Sequence, residues 1–204
     1  AARIQGVHVT GLELQNALVD LARRSADHSG LGARVSFELG DILTPPSSVS
    51  RLKFDHVIAN PPYMAKGAGF PPSDPQKALA HVEGLAVLAD WLGLAQTSIK
   101  TGGTVTFIHR ADRQKELTAA FSDEAWRVIV YPLWPKDRKR GAKRVIVHAR
   151  HGDGTVPMMA PGLVLHDADG HYTEKANAVL RDCAPIDLQD LARGEGISLR
   201  YIHD

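Results

Sequence analysis

The chain has 204 residues, of which 44% are hydrophobic, so it can bury one core of ordinary size. Its formal net charge is only +1. No apolar run approaches the roughly 20 residues that a membrane-spanning helix needs, so a membrane protein is excluded. The single cysteine, Cys183, excludes a disulfide framework and a cysteine-based zinc site, and the histidines show no ligand spacing. These features predict a cytoplasmic protein without a metal site, in which any nucleic-acid contact comes from a local basic patch.

Strand-like and helix-like patterns alternate along the first part of the chain. The predicted elements are a strand at 7–13, a helix at 14–30, a strand at 34–39 and a strand at 54–59. The last of these is a short apolar run of the kind that forms a buried parallel strand. The alternation predicts an α/β fold with a mostly parallel sheet.

The second part of the chain continues this alternation. The predicted elements are a helix at 75–100 that ends at Thr101-Gly102-Gly103, a strand at 104–108, a helix at 112–121, strands at 127–131 and 145–149, a hairpin near 163–172 and a helix at 173–181. The strands at 127–131 and 145–149 have no helix between them, so we expect them to pair antiparallel. Residues 1–182 are therefore predicted to form one domain, and the tail at 183–204 is unassigned.

The motif Asn60-Pro61-Pro62-Tyr63 follows the predicted strand at 54–59. An exocyclic base amine is a poor nucleophile while its lone pair is delocalised into the ring, and two hydrogen-bond acceptors can localise that pair. The Asn60 side-chain carbonyl and the Pro61 main-chain carbonyl supply two such acceptors. Tyr63 offers a flat face on which an extruded base can stack. We therefore predict Asn60, Pro61, Pro62 and Tyr63 as catalytic residues, and the alternative is a proline-stiffened turn.

Three polar residues end predicted strands, namely Glu13, Asp41 and Asn60. Ligands of parallel α/β sheets bind outside the carboxyl ends of the strands, so one cleft could receive all three side chains. Glu13 is placed to accept hydrogen bonds from ribose hydroxyls, and Asp41 from an adenine amino group. We predict all three as cofactor-binding residues. For each acid alone, the alternative is a helix N-cap or a solvated strand end.

A cluster of cations, here called the basic segment, occupies residues 136–144 between the last two predicted strands. Its six basic residues are Lys136, Arg138, Lys139, Arg140, Lys143 and Arg144. We predict that they bind nucleic-acid phosphates at the edge of the sheet where the Asn60 motif lies. Trp134 could stack on a base beside them. The alternative is an ordinary solvated hairpin.

The segments 10–15 and 40–42, together with Asn60-Pro61-Pro62-Tyr63, resemble the class I S-adenosylmethionine-dependent methyltransferases. More narrowly, residues 1–182 are similar to the bacterial adenine-N6 methyltransferases that act on a valine tRNA. The resemblance implies a Rossmann-like sheet with an antiparallel final strand, S-adenosylmethionine as cofactor and tRNA as partner. It also implies Glu13 on the cofactor ribose, Asp41 on its adenine and residues 60–63 around the target amine.

The sequence departs from that family at its start. It contains no GxGxG turn, so the family's first strand and glycine-rich turn are expected to precede residue 1, and the sheet is expected to lack that strand. Other substrates stay open, because proteins with the same motif methylate a protein glutamine, another nucleic-acid base or a small molecule. A further alternative is an RNA-binding remnant without catalysis.

Overall fold

The computed structural model describes residues 4–63, 85–152, 154–186, 188 and 197–198. Residues 1–53 and residues 54–204 each form a compact unit. Residues 75–84 of the predicted helix and most of the tail at 183–204 lie outside the described residues. In the described part of the chain, no helix is long and apolar enough to cross a membrane.

The first unit is a pair of parallel strands with one connecting helix. Its elements are β1 (Val9–Glu13), α1 (Asn16–His28), β2 (Val35–Leu39) and the short helix α2 (Ser47–Ser50). β1 and β2 run parallel and stay in register along their whole length. Gly11 in β1 permits close packing, because a Cβ at that position would lie 2.7 Å from the Phe37 ring. The predicted order of strand, helix and strand is confirmed.

The second unit is built on a larger sheet. Its strands are β3 (Phe54–Ala59), β4 (Ile99–Arg110), β5 (Trp126–Trp134), β6 (Arg144–His151), β7 (Thr155–Met159), β8 (Leu163–Val164) and β9 (Ile197–Ser198). Its helices in the described residues are α3 (Leu88–Ser98), α4 (Gln114–Ala119) and α5 (Glu174–Leu180), with 3-10 turns at Ala111–Arg113 and Arg138–Arg140. The strand predicted at 54–59 and the helix predicted at 173–181 are both confirmed. The expected burial of that strand is wrong, because β3 lies at the edge of its sheet and Ile58 is 80% exposed.

Several strands of this sheet end on the same side as the Asn60 motif. The strand order is β3-β4-β6-β5-β7-β9, with β8 also paired to β5. β3 runs parallel to β4, β6 runs antiparallel to both β4 and β5, and β8 runs parallel to β5. β3, β4, β5 and β8 therefore all end at the same edge, which we call the carboxyl edge. The predicted antiparallel pairing of the strands that became β5 and β6 is confirmed.

Both faces of the central strand β5 are buried, and the alternation of its side chains separates two apolar clusters. Val128 and Val130 belong to the larger cluster, which also includes Leu88 and Leu92 of α3. Ile129 and Tyr131 point into the smaller cluster, which includes Ala176 of α5. Helices therefore cover both faces of the sheet, as in other α/β proteins, and burial raises the pKa of the Tyr131 phenol.

The predicted helix stop at Gly102-Gly103 is wrong. Helix α3 already ends at Ser98, and the β-branched Ile99 begins β4 opposite Phe54. Between Phe54 and His56 the register shifts, so residues 100–103 form a bulge in β4. Gly102 adopts a φ of 78°, and a Cβ on Gly103 would lie 2.8 Å from the Asp55 carbonyl oxygen. The two glycines therefore permit a bulge in β4, and the bulge is defined by the pairing of β4 with the neighbouring strand β3.

Candidate active site

Asn60 and Tyr63 contact each other directly beyond the end of β3. Pro61 between them is buried, whereas Asn60 is exposed and Tyr63 is half-buried. The Tyr63 hydroxyl donates a short hydrogen bond to the Asn60 side-chain oxygen Oδ1. This is the oxygen that the sequence predicts as an acceptor for a target amine. A bound amine must therefore replace the Tyr63 hydroxyl at Asn60 or share the oxygen with it.

The ring of Tyr63 is held by two further strands at the carboxyl edge. The His109 ring near the end of β4 meets it edge-on, with ring centroids 5.3 Å apart and an interplanar angle of 90°. The Arg144 guanidinium carbon at the start of β6 lies 5.4 Å from the centroid of the Tyr63 ring. His109 and Arg144 are close because β4 and β6 pair antiparallel, with His109 opposite Val145 and the next residue, Arg110, opposite Arg144. One residue of the basic segment thus contacts the motif itself.

Sequence reasoning missed His109. It is fully buried beside a tyrosine of the segment that follows β3, and only the pairing of β3 with β4 brings the two together. The available signal was its position near the end of a strand that neighbours the motif strand. A histidine at that place is a candidate for fixing the Tyr63 ring, because burial leaves its own ring little room to move.

The basic segment leaves the sheet at the carboxyl edge, as predicted. It follows β5, passes through the 3-10 turn Arg138–Arg140 and ends where β6 begins at Arg144. Lys136, Arg138, Lys139, Lys143 and Arg144 are exposed, and the side chain of Arg140 lies outside the described part of the chain. The Trp134 indole donates to the Pro161 carbonyl oxygen at 3.1 Å and packs on the core, so it anchors the end of β5.

Charge at this edge is unevenly balanced. Arg110 forms an ion pair with Asp112, and that hydrogen bond holds the pKa of the Asp112 carboxyl below its usual range. In the same way, Arg113 lowers the pKa of Glu116. Both carboxylates therefore stay ionised near neutral pH and offset the arginines beside them. Arg144, by contrast, faces the π system of Tyr63.

In the first unit, Glu13 is the last residue of β1, and Asp41 lies two residues beyond the end of β2. The Gly40 amide donates to the Glu13 main-chain oxygen at 2.9 Å, which ties the two strand ends together. Glu13 Oε1 accepts from the Gln15 amide, and Asp41 Oδ1 accepts from the Leu43 amide, each at 2.9 Å. One oxygen of each carboxylate thus shapes its own turn, and the other can accept from a ligand. These acceptor oxygens fit the hydroxyl and amino groups that an adenosine moiety offers as donors.

One group among the described residues has the composition of a metal site. Asp167, Asp169 and His171 offer ligand atoms within 4.8 Å of one another, and all three are exposed. Asp167 Oδ1 already accepts hydrogen bonds from the Asp169 and His171 amides, which is the ordinary role of an aspartate in a tight turn. We therefore assign this group to the turn.

Comparison with known proteins identifies the family. The sequence profile of a methyltransferase domain family, described simply as "Methyltransferase domain", matches residues 1–136. The chain belongs to this family. It is an S-adenosylmethionine-dependent methyltransferase, in agreement with the resemblance carried by its motifs. The Rossmann-like α/β class is likewise confirmed.

Several curated proteins are similar to this methyltransferase along most of its length. It is 25% identical over 167 residues to the tRNA1(Val) (adenine(37)-N6)-methyltransferase of Aeromonas hydrophila, covering 82% of this chain and 67% of the relative. It is 28% identical over 134 residues to the release factor glutamine methyltransferase of Chlorobaculum tepidum, covering 60% of this chain and 46% of the relative. A solved structure of a predicted O-methyltransferase from Agrobacterium tumefaciens has the same fold, with a TM-score of 0.67 at 22% identity over 88% of this chain and 79% of that one.

Proposed function

We propose that this methyltransferase modifies an exocyclic adenine N6 amine in tRNA. The main support is the contact between Arg144 of the basic segment and Tyr63 of the motif, with the guanidinium carbon 5.4 Å from the ring centroid. Because of that contact, cations suited to phosphates and acceptors suited to an amine lie at one edge of one sheet. An RNA whose backbone follows the basic segment would bring a flipped base to Tyr63.

The chemistry requires little beyond orientation and charge stabilisation. When bound, S-adenosylmethionine supplies an electrophilic methyl group. Asn60 Oδ1 and the Pro61 carbonyl oxygen would each accept a hydrogen bond from one N–H of the amine, which directs the nitrogen lone pair out of the base ring. The same two oxygens stabilise the positive charge that develops on the nitrogen. We expect Glu13 and Asp41 to hold the cofactor's ribose and adenine.

The hydrogen bond between Tyr63 and Asn60 must be exchanged for a hydrogen bond from the substrate amine when the base binds. In the structure the Tyr63 hydroxyl occupies Asn60 Oδ1, so an arriving amine takes over an existing hydrogen bond. The exchange keeps the Asn60 oxygen satisfied before the base arrives and lowers the net gain from binding it. His109 and Arg144 both contact the Tyr63 ring, which favours a fixed ring position while the hydroxyl gives way to the amine.

The relatives support this substrate but leave a competitor. The similar proteins from Aeromonas hydrophila, Actinobacillus pleuropneumoniae and Mannheimia succiniciproducens are all named tRNA1(Val) (adenine(37)-N6)-methyltransferases. A release factor glutamine methyltransferase is also similar, over a shorter stretch. A glutamine amide presents the same kind of NH2 group to Asn60, so the motif alone fits both. The exposed cations of the basic segment favour RNA, because a glutamine side chain carries no phosphate.

A transfer assay with labelled S-adenosylmethionine tests the proposal. Unmodified tRNA, DNA and a release factor would be offered separately, and the product in RNA would be digested and identified as a nucleoside. We expect label in N6-methyladenosine from tRNA, and we expect it to disappear in the Asn60→Ala variant. Label in the release factor alone would establish glutamine methylation instead. RNA binding without transfer to any acceptor would favour a binding protein.

A further inference from the structure

We propose that the surface around His166 and Tyr172 is a second nucleotide-binding site, which holds another nucleotide of the RNA strand that carries the target adenosine. This proposal rests on the proposed RNA substrate. It assigns a role to the segment after β8, which the methyl-transfer chemistry does not use.

The aromatic pair has the geometry of a stacking platform. The His166 and Tyr172 rings are nearly parallel, with centroids 4.8 Å apart and an interplanar angle of 23°. His166 is fixed from behind, since its Nδ1 lies 2.9 Å from the Pro135 carbonyl oxygen. Tyr172 is 41% exposed, so the pair presents aromatic surface to the solvent. A base could extend this stack at low entropic cost, because the rings are already ordered.

An open depression adjoins the platform. It has a volume of about 720 Å³ and is lined by His166, Gly170, His171, Tyr172, Asn177, Arg181 and Asp182. That volume suits a nucleotide, since small-molecule sites span roughly 300 to 1,000 Å³. The Arg181 guanidinium can donate hydrogen bonds to a phosphate. The Asp182 carboxylate can accept a hydrogen bond from a ribose hydroxyl or a base amine. An aromatic platform beside a cation and an acceptor matches the needs of a single nucleotide.

The fold puts this site on the same edge as the motif. β8 runs parallel to β5, so the chain that leaves β8 towards His166 emerges at the carboxyl edge. Lys136 of the basic segment reaches across and donates to the Ala168 carbonyl oxygen at 3.3 Å. The basic segment thus joins β6, where Arg144 contacts Tyr63, to the loop beside the depression. An RNA strand that follows these cations would have aromatic contacts at both ends.

The decisive measurement is the affinity of fluorescently labelled single-stranded RNA for the whole chain and its variants. Tyr172→Ala should weaken binding at least fivefold, since loss of one stacked base costs about 1–3 kcal/mol. Tyr172→Phe is the matched control and should bind like the wild type, because it keeps the ring. Arg181→Gln leaves the stack intact and should lower the slope of log affinity against log salt by about 0.7.

Two further readouts separate this site from a merely structural ring pair. In transfer assays, Tyr172→Ala should raise KM for RNA and leave kcat near its original value. Photocrosslinking of wild-type protein to RNA containing 4-thiouridine should label the peptide that contains Tyr172, and this result does not depend on how a variant folds. If wild type binds RNA but Tyr172 is neither crosslinked nor needed, the second site is wrong and the RNA substrate stands. If wild type binds no RNA, both proposals fail.

Discussion

Tyr63 donates a hydrogen bond to the Asn60 side-chain oxygen that we expect to accept from the target amine. The hydroxyl of Tyr63 donates to Asn60 Oδ1, and the ring of Tyr63 rests against His109 and Arg144. The hydroxyl and the ring therefore have separable effects. Removing the first should ease access to Asn60, whereas removing the second should cost the surface on which a base stacks.

Tyr63→Phe should raise RNA affinity and kcat/KM together, each by roughly two- to tenfold, because an amine no longer displaces a hydrogen bond worth about 0.5–1.5 kcal/mol. Steady-state kinetics with tRNA measures both quantities. Tyr63→Ala is the control and should lose affinity, since it removes the stacking ring. A drop in kcat of tenfold or more in Tyr63→Phe would show that the hydroxyl acts on the substrate.

Asn60→Ala should reduce kcat by at least about a hundredfold, as for the loss of one oriented hydrogen bond to a charge that develops in the transition state. Cofactor affinity, measured by calorimetry, should fall far less than kcat, because Glu13 and Asp41 still hold the ribose and adenine. Asn60→Asp retains acceptor oxygens at the same position and should keep more activity than the alanine variant. Near-normal turnover in Asn60→Ala would reduce the motif to a turn.

The basic segment acts as an element, since its cations are distributed along one connection between β5 and β6. Neutralising Lys136, Arg138, Lys139 and Lys143 to glutamine should weaken RNA binding regardless of sequence, because phosphate contacts carry no base information. Each lost contact should flatten the slope of log affinity against log salt by about 0.7–0.9. Arg144 is left unchanged, so its contact with Tyr63 is preserved.

Lys100→Gln is the matched control for this experiment. Lys100 is an exposed lysine near the opposite end of β4 from the carboxyl edge, where it pairs with Asp55 at 3.0 Å. Its loss should leave the salt slope unchanged. If the variant of the basic segment shows the same salt dependence as the wild type, these lysines and the arginine are solvated and RNA contacts lie elsewhere.

The bulge in β4 offers a test of the fold at the scale of one strand. Gly103→Ala should destabilise the protein by about 1–3 kcal/mol, because its Cβ would lie 2.8 Å from the Asp55 carbonyl oxygen, a backbone atom that cannot easily move away. Gly93→Ala in α3 is the control. Among the described residues, and apart from its chain neighbours and the backbone of its own helix, no atom lies within 4 Å of a Cβ there, so it should stabilise by about 0.5–1 kcal/mol. Denaturant unfolding measures both, and equal stabilities would contradict the bulge.

At the scale of the whole molecule, His148 links stability to pH. It lies on β6, with its Nδ1 2.9 Å from Thr106 Oγ1, and burial lowers its pKa, helped by repulsion from His56 and Arg150. The unfolded chain therefore takes up this proton first as the pH falls below about 6.5. We expect the contribution of His148 to be constant above that pH and to fall between about pH 6.5 and the lower folded pKa.

Thermal unfolding of the wild type and His148→Gln between pH 8 and pH 5 measures this effect. The difference in stability between the two should shrink as the pH falls through that window, because the variant lacks the titrating ring. Asp112 and Glu116 have lowered pKa values, so their stabilising contributions fall away only at more acidic pH, below about 4.5. Parallel curves for the two proteins would show that His148 has the same proton affinity in both states.

The local features of this protein follow from its sequence. The apolar run at 54–59 predicted β3, and strand-like and helix-like patterns predicted most of the other elements, because strand and helix preferences depend on near neighbours. The Asn60 motif, the acids at the strand ends and the basic segment were visible for the same reason. Their arrangement at the carboxyl ends of parallel strands followed from the alternation of strand and helix.

Tertiary structure decided what these residues contact. The bulge at Gly102 and Gly103, the edge-on contact of His109 with Tyr63 and the position of Arg144 over the same ring all depend on how β4 pairs with β3 and β6. The same holds for the stack of His166 on Tyr172. Register between strands is set by packing of the entire sheet, so it cannot be obtained from any short stretch of sequence.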